Sequence, residues 1–147
     1  MATAVCTSLL SLYYSVLEAD LAIARTKHEA QFLQINFPQD MADYLINYQN
    51  GGTILNTMSA GGYLINKLSP DFKIYFDGRT HILYPIDFFI HHVNLLTSTE
   101  ELNNTIENDN IQYALYRNRP ELFLALNSAK SLNLILADDY YLLFAKE

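Results

Sequence analysis

The sequence predicts an α/β fold: a three-layer sandwich with a mixed, mostly parallel sheet and a C-terminal hairpin, preceded by an N-terminal helix. Three observations predict it. Short apolar runs rich in β-formers, at residues 53–58, 73–76, 111–116 and 132–136, alternate with stretches whose apolar residues recur every three or four positions. The last of those runs is followed by Asp138-Asp139 and another apolar run, 140–145, which is the pattern of a hairpin. Half of the residues are hydrophobic, with 11 Tyr and 8 Phe, ample for a packed core.

Residues 2–30 read as a helix, with Leu10, Tyr13, Leu17, Leu21 and Ala24 in a stripe and Glu18, Asp20, Arg25, Lys27 and Glu29 elsewhere. Its most apolar part, residues 4–17, is about 14 residues long and carries Thr7, Ser8, Ser11 and Ser15. A membrane-spanning helix needs about 20 largely apolar residues, so this segment is too short to be read as one. It also lacks the basic start and cleavage site of a signal peptide. The chain therefore divides into an N-terminal helix, 1–31, and a single α/β domain, 32–147.

Phe37-Pro38-Gln39-Asp40 breaks the chain and opens a second helix, whose buried face is Met41, Tyr44, Leu45 and Tyr48. Asn50-Gly51-Gly52 ends it. The strand at 53–58 is followed by a short helix at 59–68, with Ser59 to cap its first turn and Tyr63, Leu64 and Leu68 at helical spacing. A strand at 73–76 then runs directly into Asp77-Gly78-Arg79-Thr80. Pro85 opens a helix to Leu96 with an apolar face of Ile86, Phe89, Ile90, Val93 and Leu96. Ser98 with Glu101 forms a capping box for the next helix, which buries Leu102 and Ile106. Asn108-Asp109-Asn110 is a turn, residues 111–116 a strand, and Arg119-Pro120-Glu121 the start of a helix to Ala129. Residues 132–136 read as a buried strand and 140–145 as its hairpin partner.

Charge and cysteine content exclude several classes. Nine basic against 16 acidic residues leave a formal charge of −7, with no local basic run, which disfavours nucleic acid and anionic membrane surfaces. The single cysteine, Cys6, can form neither an internal disulfide nor a cysteine-based zinc site. Adjacent His91 and His92 point about 100° apart on a helix and cannot chelate from one face. No HExxH motif and no Gly-x-Ser-x-Gly elbow occur, and the reading calls for no cofactor. Asp138-Asp139 reads as a turn, and Asn103-Asn104-Thr105 as an accidental glycosylation sequon.

The candidate site lies between residues 51 and 80. Asp77, Gly78 and Arg79 place a carboxylate, a flexible backbone position and a guanidinium at a strand end, where open α/β sheets hold ligands. The competing reading, in which Asp77 and Arg79 pair with each other or with loop backbone, leads on residues alone. In particular, Arg79 is expected to turn back onto Asp77 or onto the carbonyls of residues 56–61. Gly61-Gly62, placed before the helix, could expose N–H groups to an anion, although close packing of helix on strand is the stronger reading. His81 is the histidine near enough in sequence to join, with Tyr63 or Tyr84 as walls.

Asn56, Gly61-Gly62-Tyr63-Leu64-Ile65 and Lys73-Ile74-Tyr75-Phe76-Asp77-Gly78-Arg79-Thr80 together carry a resemblance. The pattern is similar to the soluble C-terminal domain of multi-spanning prokaryotic membrane proteins of the GT-C glycosyltransferase-like kind. It extends more weakly from about Pro38 to the C-terminus, with Ala60 where that family typically has Trp. The resemblance implies a non-catalytic accessory domain on the extracytoplasmic side of the membrane, with the N-terminal helix as a membrane-proximal linker. Its implied partners are the transmembrane portion of a parent or neighbouring protein and a glycan or other acceptor. Two alternatives from other classes stand beside it. One is a stand-alone small-molecule-binding protein or enzyme using the Asp77–Arg79 loop. The other is an interaction module that dimerises through a Tyr-rich surface.

Overall fold

The computed structural model describes the backbone of residues 2–147 and the side chains of residues 15–79 and 82–147. The side chains of Cys6, Leu10, Tyr13 and His81 lie outside those described. Helix α1, Ala2–Asn36, forms one unit, and residues 37–147 form a second. The helix runs past residue 30 because nothing breaks it before Phe37-Pro38, where the proline ring disfavours helical geometry at the preceding residue. Among the described residues, no helix is long and apolar enough to cross a membrane.

The second unit is built on a five-stranded sheet, β1 (Gly52–Asn56), β2 (Phe72–Ile74), β3 (Ile111–Arg117), β4 (Leu132–Ala137) and β5 (Tyr141–Lys146), in the order β2-β1-β3-β5-β4. β1 pairs in parallel with both β2 and β3. β5 runs against β3, and β4 runs against β5, so β4 points the same way as the first three. The sheet is mixed, and only β5 is reversed. The hairpin forms because the Asp138 carboxylate accepts from the backbone N–H groups of Tyr140 and Tyr141, each at 2.6 Å.

Alternation along the strands divides the core between two faces. Ile54, Tyr113, Leu115, Tyr141 and Leu143 face helices α2 (Gln39–Tyr48) and α3 (Met58–Leu68), which supply Met41, Leu45, Ala60, Leu64 and Leu68. Leu55, Ala114, Tyr116, Leu142 and Phe144 face the other way. There they meet Leu95, in the short turn just before α6 (Thr99–Asn108), Leu102 and Ile106 of that helix, and Leu126 of α7 (Pro120–Asn127). Helices thus cover both faces, which makes the three layers. The N-cap half of the expected capping box is present, with Ser98 Oγ accepting from Glu101 N–H at 3.3 Å, while the Glu101 carboxylate pairs with His91 instead of reaching back.

Four local expectations are corrected. Thr57, not Ser59, occupies the N-cap of α3. Tyr48 is exposed, because α2 turns Met41, Ala42 and Leu45 inward. β4 is an edge strand, so only Leu132 is buried and Leu134 is exposed. Helix α5 (Ile86–Asn94), which follows the one-turn α4 (Thr80–Leu83), presents a different face from the one expected. His92 and the following Leu95 are buried, while Ile86, Ile90 and Val93 are exposed. The helix offers two apolar stripes, and the one carrying Phe88 and His92 packs on Tyr75 and Phe76.

Both core clusters lie wholly within residues 41–144. A chain of residues 37–147 should therefore fold without α1 and unfold in one cooperative step, checked by thermal melting followed by circular dichroism.

Candidate functional site

β2 stops at Ile74, and the sheet is carried on by a side chain. The buried amide of Asn56, at the end of β1, donates to the carbonyls of Phe76 (2.7 Å) and Thr57 (2.9 Å) and accepts from Phe76 N–H (3.3 Å). This fixes Phe76 one step beyond the ladder and delivers Asp77 to the carboxyl end of the sheet. Asp77 is 2 % exposed, and its carboxylate is fully occupied from within. Oδ1 accepts from Arg79 N–H (2.8 Å) and Arg79 Nε (2.9 Å), and Oδ2 from Arg79 Nη2 (2.6 Å) and Tyr84 OH (3.1 Å). The Arg79 side-chain hydrogen bonds, together with those from its backbone and from Tyr84, hold the carboxyl well below the usual carboxylate range. Arg79 does turn back onto Asp77, as a planar fork. A carboxylate held in this way is a positioning group, unsuited to act as a base or nucleophile.

Gly61 and Gly62 lie inside α3 rather than before it, so they do not present the free N–H groups of a helix start. Gly61 is needed for contact. A Cβ there would meet the Phe76 carbonyl oxygen at 2.2 Å and Asp77 Cα at 2.7 Å. Gly62 and Gly78 face open space. Tyr63 stacks on Phe37 with ring centroids 5.1 Å apart. Asn56, Gly61, Asp77, Arg79 and Tyr84 therefore form one structural knot around the end of β2.

Beside that knot lies a groove of about 310 Å³ lined by Thr57, Met58, Phe76, Phe89, His92, Val93, Leu96, Tyr116 and Leu122. Thr57 follows β1, Phe76 follows β2 and Tyr116 lies near the end of β3, so the groove opens at the carboxyl ends of the parallel strands. β1 leaves toward α3 on one face, and β3 toward α7 on the other. That divergence between neighbouring strands is where open α/β sheets bind ligands. A second hollow, about 400 Å³ and lined by residues including Lys67 and Asp71, lies at the opposite end of β1 and β2.

The groove holds two polar groups that sequence reasoning missed as a pair. His92 is 8 % exposed and Tyr116 4 % exposed. Neither His92 Nδ1 nor Tyr116 OH has a hydrogen-bond partner among the described residues. Burial, helped by neighbouring His91, pushes His92 down to about 4, so the ring is neutral at pH 7. Burial likewise raises Tyr116 far above its usual range. His91 is engaged elsewhere, with Glu101 (2.9 Å) and Thr105 (3.1 Å). Among the described residues, no three metal-ligating side chains converge. Comparison with protein-family models and with curated proteins finds no match.

Two pairs of substitutions test the knot. Gly61→Ala should destabilise the fold by about 1–3 kcal/mol, since backbone must move to admit the methyl group. Gly62→Ala, in open space within the same helix, should stabilise it by about 0.5–1 kcal/mol, as read by denaturant unfolding. Arg79→Ala should lower the thermal midpoint by several degrees, because Asp77 stays buried without its cation. Arg79→Lys should recover only part of that loss, because an ammonium cannot reproduce the fork.

Proposed function

We propose that this chain is a non-catalytic accessory domain of a membrane glycosyltransferase-like protein, acting on the extracytoplasmic side to position or contact an acceptor or partner. The observation that carries the reading is an uncovered apolar stripe. Ile86, Ile90 and Val93 recur at helical spacing on α5 and are exposed, and Ile82 and Leu83 of α4 are exposed just before them. A stripe of this kind on a domain surface fits a protein–protein contact. The charged pair that could have done chemistry is spent on the fold, with Asp77 closed off by Arg79 and Tyr84.

The resemblance at Asn56, Gly61 and Asp77–Arg79 supports the same reading. Those residues hold a strand end together, so the shared pattern is one of architecture. It fits a domain that presents surfaces to the transmembrane portion of a parent or neighbouring protein and to a glycan or other acceptor.

The test is a photo-reactive residue at position 90, introduced in the organism that makes the protein, with a second at exposed position 127 as control. The adduct at 90 should be a polypeptide with several membrane spans. With the probe kept at position 90, the double substitution Ile82→Ser and Ile86→Ser should abolish it and leave the thermal midpoint unchanged, because both side chains already face water. Adducts only with a second copy of this chain, or equal adducts at both positions, would refute the reading.

A further inference from the structure

The geometry points to the groove between α3, α5 and the end of β3 as a binding site for an uncharged, largely apolar small molecule that carries one hydroxyl group. The site adjoins the partner contact proposed above and shares Val93 with it, but its test reads small-molecule binding and needs no partner.

The first support is the pair of orphaned polar atoms. A buried hydroxyl or imidazole nitrogen left without a partner costs free energy, and native proteins rarely leave two beside one cavity without a use for them. His92 Nδ1 and Tyr116 OH both belong to residues that line this groove, and each residue is more than nine-tenths buried.

The second support is chemical complementarity. Nδ1 of the neutral imidazole is unpartnered, and a hydroxyl can meet it in either tautomer, by donating to the lone pair or by accepting from the N–H. The Tyr116 phenol can donate. A single hydroxyl, which can both donate and accept, can satisfy the two together. A carboxylate has no proton to give and can only accept.

The third support is the rest of the lining. Met58, Phe76, Phe89, Val93, Leu96 and Leu122 are apolar, and the groove has no charged side chain in its wall. An ion entering it would lose water without gaining a counter-charge. The volume, about 310 Å³, lies at the lower end of the range for small-molecule pockets. A compact molecule with one ring system fits that space better than an extended chain.

Benzyl alcohol, toluene and benzoate probe these features separately, with binding followed by NMR shifts of the groove residues in the full chain. Benzyl alcohol should bind about tenfold more tightly than toluene, the ratio expected for one satisfied hydrogen-bond pair. Benzoate should bind more weakly than benzyl alcohol by a similar factor or not at all. Tyr116→Phe removes the phenol oxygen and keeps the ring. It should leave the thermal midpoint equal or higher, and should bring benzyl alcohol down toward the affinity of toluene. Equal affinity of benzyl alcohol and toluene for the natural chain would overturn the proposal, as would an unchanged ratio in the variant. Failure of all three probes to shift groove residues, with a lowered midpoint in Tyr116→Phe, would overturn it too, by showing that a resident water satisfies the hydroxyl.

Discussion

The amide of Asn56 is the interaction on which the functional end of this molecule depends. β2 gives only three residues to the sheet, and beyond Tyr75, whose N–H still donates to the Ile54 carbonyl at 3.0 Å, the ladder needs another source of donors and acceptors. Asn56 supplies both, holding the carbonyl and the N–H of Phe76 from the end of the neighbouring strand. A buried amide left unpaired costs about 1–3 kcal/mol per lost partner, so a register error at this point is strongly disfavoured. Fixing Phe76 then fixes two things. Asp77 is brought under Gly61 at a separation that no side chain could tolerate, and the Phe76 ring becomes the floor on which His92 rests, 4.2 Å between centroids.

Two ionisable groups flank Phe76, and their environments push them toward opposite outcomes. Asp77 is buried but surrounded by donors, so its charge is retained and its carboxyl titrates far below normal. His92 is buried among aromatic rings with little to stabilise a cation, so its charge is suppressed. The difference decides their roles. A fully hydrogen-bonded carboxylate locks the loop that leads into α4. A neutral imidazole with an unpartnered Nδ1 remains able to make a hydrogen bond. Perturbed groups gather at functional sites, yet the perturbation alone does not say which of them meets a ligand. The hydrogen-bond accounting does, and it favours His92.

Sheet topology explains why the groove opens beside this pair. β1 and β3 are neighbours whose following helices depart to opposite faces, so the layers part at their carboxyl ends. Helix α5 closes one side of that gap with Phe89, His92 and Val93. Burying the stripe with Phe88 and His92 leaves Ile86, Ile90 and Val93 outward, so the same rotation that builds the groove also exposes the apolar stripe. Groove and stripe are two consequences of one packing choice.

Local features were determined by the sequence alone. The alternation of strands and helices, the Ser98 N-cap on Glu101 N–H, the Asp138 turn and the closure of Arg79 onto Asp77 all rest on residues close together in the chain. Such features follow from short-range geometry that the residue pattern carries directly. Tertiary structure decided the rest. Helix α5 has two apolar stripes, and hydrophobicity does not choose between them; the aromatic surface around Phe76 does, and it is assembled from distant segments. Gly61 gains its meaning only where α3 crosses the end of β2. His92 and Tyr116 are 24 positions apart (116 − 92) and share no motif, so only the folded sheet brings their unpartnered atoms to one groove.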